Sequence, residues 1–296
     1  MKAIVVHQGG GPEVLELEEV PDPQPADGEV LVRVEAAAVN HFDLTQRSNP
    51  AQTGASVPYT PGVDAAGTRT DTGERVLVSG VRGAYAELLA APAEKVRPIP
   101  ESLDAARAAA LGVAYSTAWG ALADAELQGG ETLLVQAGSS GTGQAAIDIG
   151  RHLGATVHAT ASESKHGRLR ELGAEPLAYD DDRLAGLGAN VVFDPVGGTA
   201  FERSLAALVS RGRLVTPGAL ESPIVTLDLW SVIGKRLRIT GSGPAAGTTD
   251  LDHLIELADK GELSPVVDRE LPLEQAAEAH TLIEERQVLG KIVLRP

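Results

Sequence analysis

Residues 133–155 read LLVQAGSSGTGQAAIDIGRHLGA, an apolar run that enters a Gly/Ser loop and leaves it as a helix. Such a loop lets the backbone approach a pyrophosphate closely. The helix that follows offers free N–H groups and the positive end of its dipole. Glycine in a tight strand-to-helix turn also has a purely steric explanation. A strand before and a helix after, inside a βαβ unit, are the context that points to a dinucleotide. That context extends from about Glu131 to Gly243, where TLLVQA, ATVHATA, NVVFDPV, GRLVTPG and RLRITGS alternate with helical segments ending at Leu153, Leu172 and Val209. Alternation at this spacing predicts a parallel sheet with right-handed crossovers, hence a doubly wound α/β (Rossmann) domain.

The 296 residues suffice for about two domains. Up to about Ala93 the chain shows short β-type runs (KAIVVH, EVLVRVEAAAV, ERVLVSG, AYAELLA) separated by Gly and Pro, a small and largely antiparallel β domain. From Leu103 the chain turns Ala-rich and helix-like. Thr249 and Asp252 resemble a capping box, EQAAEAHTLIEER reads as a helix, and the final strand GKIVLRP has no place in the parallel sheet. It is expected to return to the β domain, giving residues 1–114 with 246–296 as one domain and 115–245 as the other.

Composition excludes several classes. Lys and Arg number 25 against 41 Asp and Glu, a net charge of −16 that opposes nucleic-acid binding. The absence of Cys removes disulfides, a thiol nucleophile and thiolate metal sites. No two of the seven His are three or four apart, so none share a helix face as ligands, and no metal is expected. Neither Ser139 nor Ser140 fits a Gly-x-Ser-x-Gly elbow. With no 18-residue apolar stretch and no cleavable leader pattern, the expectation is a soluble, cytoplasmic protein.

The second strand of the α/β domain bears on which dinucleotide binds. It ends Thr160-Ala161-Ser162, with Lys165 following, and a small polar residue with a nearby cation suits the extra phosphate of NADPH. Glu163, one position past the usual acidic site, allows the opposite reading, a carboxylate on the ribose of NADH. In the other domain, VNHFDLTQR places Asn40, His41 and Asp43 in a polar cluster after a strand. A hydrogen-bonded turn and a direct substrate role explain it equally well.

Taken together, the motifs resemble the zinc-independent quinone oxidoreductase (zeta-crystallin-like) branch of the medium-chain dehydrogenase/reductase superfamily. The resemblance runs end to end: Gly10 to Leu15, Ala38 to Asp43, Pro61 to Gly67, Ser116 to Trp119, Ala137 to Gly143, Val192 to Gly198 and Gly290 to Leu294. Zinc-dependent members carry Gly-His-Glu where this chain has Gly62-Val63-Asp64, and a Cys ligand near Asn40 and His41. Ser140 stands at the middle Gly of the nucleotide loop, the segment from Gly67 to Gly73 is short, and Thr45 replaces a Tyr of some members.

The resemblance implies a GroES-like β domain beside the Rossmann domain. It implies that Ser139, Ser140, Gly141, Thr142 and Gly143 hold the pyrophosphate, Ser162 and Lys165 the 2′-phosphate, and that Tyr179 lies along the adenine. Thr117, Val196, Gly218, Ala219 and Gly241 would line the nicotinamide half. Asn40, His41 and Asp43 would face nicotinamide and substrate, with Tyr59 nearby; Asn40, Asp43 and Tyr59 are then the candidate catalytic residues. Subunits would pair as a homodimer through RLRITGS, where Leu237 and Ile239 alternate with Arg236 and Arg238.

The activity implied is metal-free hydride transfer from NADPH to a small-molecule quinone. An enoyl or enone reductase of the same superfamily is the alternative enzyme. An NADPH-binding protein of low turnover, structural or sensing, is the alternative from another class.

Overall fold

β1 (Lys2–Val5), which buries Ala3, Ile4 and Val5, and the acidic, mostly exposed β2 (Glu16–Glu19) form an antiparallel pair. The computed structural model describes residues 1–242 and 248–296. The chain divides into two units, Met1–Ala114 with Leu251–Pro296, and Tyr115–Asp250. The domain limit expected at 245 and 246 lies outside the described residues.

In the first unit, β3 (Glu29–Ala38) buries Val32, Val34 and Ala36 to Ala38. The polar cluster after it is neither a turn nor a loop but α1 (His41–Ser48), a helix begun when Asp43 Oδ2 accepts the Asn40 N–H at 2.8 Å. The sheet continues with β4 (Asp64–Arg69) antiparallel to β3, then β5 (Arg75–Ser79); β6 (Leu88–Pro92) pairs with β3 and β7 (Val96–Pro98) with β5. The Ala-rich helix α2 (Ala105–Asp124) breaks at Gly112, with φ −33° and ψ −120°. The Asp64 carboxylate fills the break: a Cβ on Gly112 would lie 2.2 Å from Asp64 Oδ1, and the freed Val113 N–H donates to both carboxylate oxygens.

The second unit holds six parallel strands: β8 (Thr132–Val135), β9 (Thr156–Thr160), β10 (Glu175–Leu177), β11 (Ala189–Phe193), β12 (Leu208–Thr216) and β13 (Arg238–Gly241). Their order is β10-β9-β8-β11-β12-β13, the doubly wound arrangement whose direction reverses between β8 and β11. The connecting helices include α3 (Gly141–His152), α4 (His166–Glu171) and α5 (Ala200–Ala207). Gly154 and Gly173, at φ +82° and +80°, follow α3 and α4 in the left-handed conformation that a β-carbon disfavours. Two sequence-based boundaries move. The helix expected to reach Val209 ends at Ala207, because β12 starts at Leu208, and α6 (Leu229–Lys235) precedes the last strand. Arg236 closes α6 at φ +53°, so the strand read as RLRITGS begins only at Arg238.

The chain then adds α7 (Thr248–Asp259), β14 (Val267–Pro272), α8 (Ala276–Glu284) and β15 (Lys291–Arg295) to the first unit. The Thr249 side chain, half of the expected capping box, lies outside the described residues. β15 lies antiparallel to β3, with Val293 opposite Ala38, and β14 runs parallel to β15. Ile292 and Leu294 thereby enter the same core as Val32, Val34, Leu44 and Tyr85.

Candidate functional site

In the second unit the carboxyl ends of β8 and β9 are tied together through Thr160, by its carbonyl and its hydroxyl. Gly138 N donates to Thr160 O at 2.8 Å and Ala137 N to Thr160 Oγ1 at 3.1 Å. This brings the Gly/Ser loop against the end of β9. Gly143 lies under the loop so tightly that a Cβ would meet Ala137 O at 2.2 Å. Ser140 Oγ accepts Gly143 N–H at 3.0 Å and so caps α3, leaving the remaining first-turn donors for an anion. The residue in place of the family's middle glycine is thus used as a helix cap.

Across this loop Lys165 Nζ donates to Ser139 Oγ at 3.2 Å. Ser162 precedes the short helical turn Glu163–Lys165, in which Glu163 is exposed. Tyr179 is also exposed, its carbonyl accepting from Arg203 Nη1 at 2.9 Å. Thr117 is buried in α2.

A buried polar line continues from here, and sequence reasoning missed it. Thr160 Oγ1 donates to Gln136 Oε1 (2.7 Å), Gln136 Nε2 to Ser204 Oγ (3.0 Å), and Ser204 Oγ to Asp194 Oδ2 (2.8 Å). Burial raises the Asp194 carboxyl while the Gly197 and Val196 N–H groups and Ser204 oppose the rise. Those two N–H groups reach Asp194 Oδ1 and fix the loop that carries Val196. Leu220 N donates to Pro195 O and Glu221 N to Val196 O, setting Gly218 and Ala219 beside that loop. Gly241 lies opposite Thr216 in the β12–β13 register. Ser139 to Gly143, Ser162 with Lys165, Val196, Gly218 with Ala219, and Gly241 thus come at or just after the carboxyl ends of β8, β9, β11, β12 and β13, the end of an α/β sheet where ligands bind, while Thr117 lies in α2. The fit to a dinucleotide rests on that end, the capped α3 N-terminus and the Lys165–Ser139 pair.

The first unit gathers a second set of polar side chains. Asn40, 5% exposed, donates through Nδ2 to Asp64 Oδ2 at 2.9 Å and to Ala38 O at 3.2 Å. Its Oδ1 accepts from Lys291 Nζ, which also donates to Val39 O at 3.1 Å. Asp64 receives Ser79 Oγ at 2.7 Å. Both Asn40 N–H bonds are spent inside the protein.

Asp43 is fully buried. Its Oδ2 accepts from Asn40 N and from Tyr85 Oη (3.0 Å), and its Oδ1 has no hydrogen-bond partner. Burial pushes its carboxyl up to about 7, against the pull of those hydrogen bonds and of Lys291. Tyr85 Oη lies 3.2 Å from His280 Nε2, His280 Nδ1 lies 3.3 Å from Arg47 Nη1, and Arg47 pairs with Glu284. Burial and the Arg47 charge push His280 down to about 3, so it is neutral. Burial lowers Lys291, against Asp64 and Asp43.

The remaining candidates stand apart from this network. The Tyr59 hydroxyl is without a partner and is pushed up to about 12 by burial and by the Asp43 charge. His41 sits at the surface, its ring packed enough to lower its basicity. Gln46, one turn after Asp43, is buried with both amide atoms unpartnered and was not singled out from sequence.

Where zinc relatives carry their His and Glu ligands, this chain offers Val63 and Asp64. The lone pairs of Asp64 are taken by Asn40, Ser79 and Val113, and the cation facing it is Lys291. That donor set does not fit zinc. Among the described residues, His7, Glu16 and Glu18 on the β1–β2 hairpin are close enough to share an ion. No helix among the described residues is long and apolar enough to cross a membrane.

Residues 26–101 match the alcohol dehydrogenase GroES-like domain family and residues 172–294 the family described as zinc-binding dehydrogenase. The quinone oxidoreductase of Mus musculus is 32% identical over 99% of this chain and 97% of its own. The chain belongs to the quinone oxidoreductase branch of the medium-chain dehydrogenase/reductase superfamily. The quinone oxidoreductase of Pseudomonas aeruginosa is 31% identical, with 97% of each chain covered. Among solved structures, mycobacterial Rv1454c complexed with NADPH superposes with a TM-score of 0.91 at 31% identity over the full length of both chains. An NAD-dependent alcohol dehydrogenase reaches 0.93 at 34%, also over both full lengths. The expected pairing of a GroES-like domain with a Rossmann domain is the fold of this branch, and the chain is an oxidoreductase of the nicotinamide-using superfamily.

Proposed function

We propose that this protein is a cytoplasmic NADPH:quinone oxidoreductase that works without a metal. The observation that carries the reading is the Lys165–Ser139 pair at the carboxyl edge of β8 and β9, a cation and a hydroxyl beside the capped α3 N-terminus. Bound NADPH supplies a hydride. The chain's own part is to hold and orient. Ser139 to Gly143 present backbone N–H groups to the pyrophosphate, and Ser162 and Lys165 meet the 2′-phosphate. Tyr179 flanks the adenine, and Thr117, Val196, Gly218, Ala219 and Gly241 shape the nicotinamide end.

In the first unit Asn40 and Asp43 act as holders rather than donors: the Asn40 carboxamide is engaged on both sides, and Asp43 is fully buried with Oδ2 holding Asn40 N and Tyr85 Oη. The unpartnered Tyr59 hydroxyl is the group of the three left to donate to an acceptor oxygen, and His41 is offered to the cofactor. A quinone spreads its developing charge over the ring, so one neutral donor suffices where zinc relatives use a Lewis acid.

The described edge strand β13 has one sheet partner, β12, and on the segment that leads into it Ile224, Leu229, Trp230 and Ile233 stand more than 60% exposed. This supports a homodimer built on that edge. The test of function is loss of reduced-nicotinamide absorbance with NADPH beside NADH against quinones, enones and enoyl thioesters. NADPH-selective turnover of quinones is expected. Turnover confined to enones or thioesters would make the protein an enoyl reductase, and none despite bound NADPH would make it a binding protein.

A further inference from the structure

We infer that Lys291 is a positioning residue for the reduction, its ammonium group fixing the Asn40 carboxamide and the first turn of α1 in the one orientation the site uses. The inference rests on the proposed placement of Asn40 and His41 beside the reacting groups. It adds a residue of the closing strand, 251 positions from Asn40.

The geometry is specific. Lys291 is 6% exposed and donates to Asn40 Oδ1 and to Val39 O. On the far side of the same carboxamide, Asp64 Oδ2 accepts from Asn40 Nδ2 at 2.9 Å. A cation on the oxygen side and a carboxylate on the nitrogen side leave the amide one orientation. Turned by half a rotation it would set its N–H groups against an ammonium and its oxygen against a carboxylate. The Val39 carbonyl anchors the residue just before the α1 cap, so the same ammonium ties down both the backbone and the side chain at the start of the helix. Burying an ammonium costs more than packing a Met or Leu of equal volume. The sheet alone gains nothing from a charge there, because Ile292, Val293 and Leu294 beside it complete the β15 packing with apolar side chains.

The charges facing this group come from every side. Asp64 lies on β4, Asp43 and Arg47 on α1, His280 on α8 and Tyr85 before β6. Arg47 is occupied by Glu284 and His280 is neutral, so Lys291 is the cation that offsets Asp43 and Asp64.

The test is a double-mutant cycle of Lys291→Met and Asn40→Ala in the full-length protein, read as quinone kcat, NADPH affinity and the pH profile of kcat. Lys291→Met is expected to lower kcat roughly 10- to 100-fold, the worth of a buried charged hydrogen bond. NADPH affinity should stay within about 2-fold, and any inflection near neutral pH should move upward as Asp43 loses its cation. In the Asn40→Ala background Lys291→Met should change kcat by less than about 3-fold. Lys291→Gln, which keeps a donor, should recover much of the loss and serves if the Met variant does not fold. Equal losses in both backgrounds, or equal losses for Gln and Met, overturn the inference. A wild-type protein that binds NADPH but reduces no quinone overturns the functional reading beneath it instead.

Discussion

Lys165 Nζ lies 3.2 Å from Ser139 Oγ, joining the turn after β9 to the loop after β8 across 26 positions of sequence. A phosphate ester placed there meets a hydroxyl and a full positive charge at once. Lys165→Ala should raise the KM for NADPH roughly 10- to 100-fold, the worth of one charge-assisted hydrogen bond, and leave that for NADH nearly unchanged. Parallel steady-state titrations with the two cofactors decide it. An unchanged preference removes Lys165 from cofactor choice.

Gly143 has no room for a side chain, since a Cβ would stand 2.2 Å from Ala137 O. Gly143→Ala should destabilise the second unit by about 1–3 kcal/mol through forced backbone movement. NADPH affinity should fall with it, because the loop and the α3 N-terminus move together. Thermal unfolding with and without NADPH reads both.

Asp43 is neutralised more easily when folded, its carboxyl rising to about 7 from an ordinary 3.8. Its contribution to stability is full below pH 4 and is lost as pH rises toward 7. His280, lowered to about 3, runs the other way: its contribution is full above pH 6.5 and is lost as pH falls. Asp43→Asn should therefore make the pH-stability curve rise more steeply between pH 4 and 7, gaining a few kcal/mol relative to wild type by pH 8. Urea unfolding at pH 5 and pH 8 is the measurement, and parallel curves for variant and wild type refute it.

Trp230 and Ile233 on α6, the helix that leads into β13, expose 79% and 61% of their surface. If that edge pairs two subunits, Trp230→Lys with Ile233→Lys should give a monomer by sedimentation equilibrium, with NADPH binding retained. A wild type that sediments as a monomer removes the dimer from the proposal.

The α/β half was legible because its chemistry is local. Gly138, Gly143, Ser139 and Ser140 lie within six positions, and the backbone itself makes the loop. That its strands form a parallel, doubly wound sheet followed from alternation alone. The polar line from Thr160 through Gln136 and Ser204 to Asp194 was not legible, since its links span 24, 68 and 10 positions. The same holds for the first unit, where Lys291 meets Asn40 and His280 meets Tyr85 only after the closing strand and α8 come home. Helix α1 was hidden by its polar composition; its start depends on an Asp43 side chain turned inward. Helix α6 was hidden because Leu229, Trp230 and Ile233 point away from the unit's core, so no core-facing period marks it.

The placement of β15 against β3 also orders events during synthesis. Lys291 follows Ala38 by 253 positions. At ~5–20 residues per second, the edge of β3 waits about 10–50 s on the ribosome for the strand that covers it. The nucleotide-binding half, whose strands end at Gly241, is complete before that partner emerges. In the nascent chain every strand of the parallel sheet is thus made before β15, so the first unit is the last of the two to receive all of its strands.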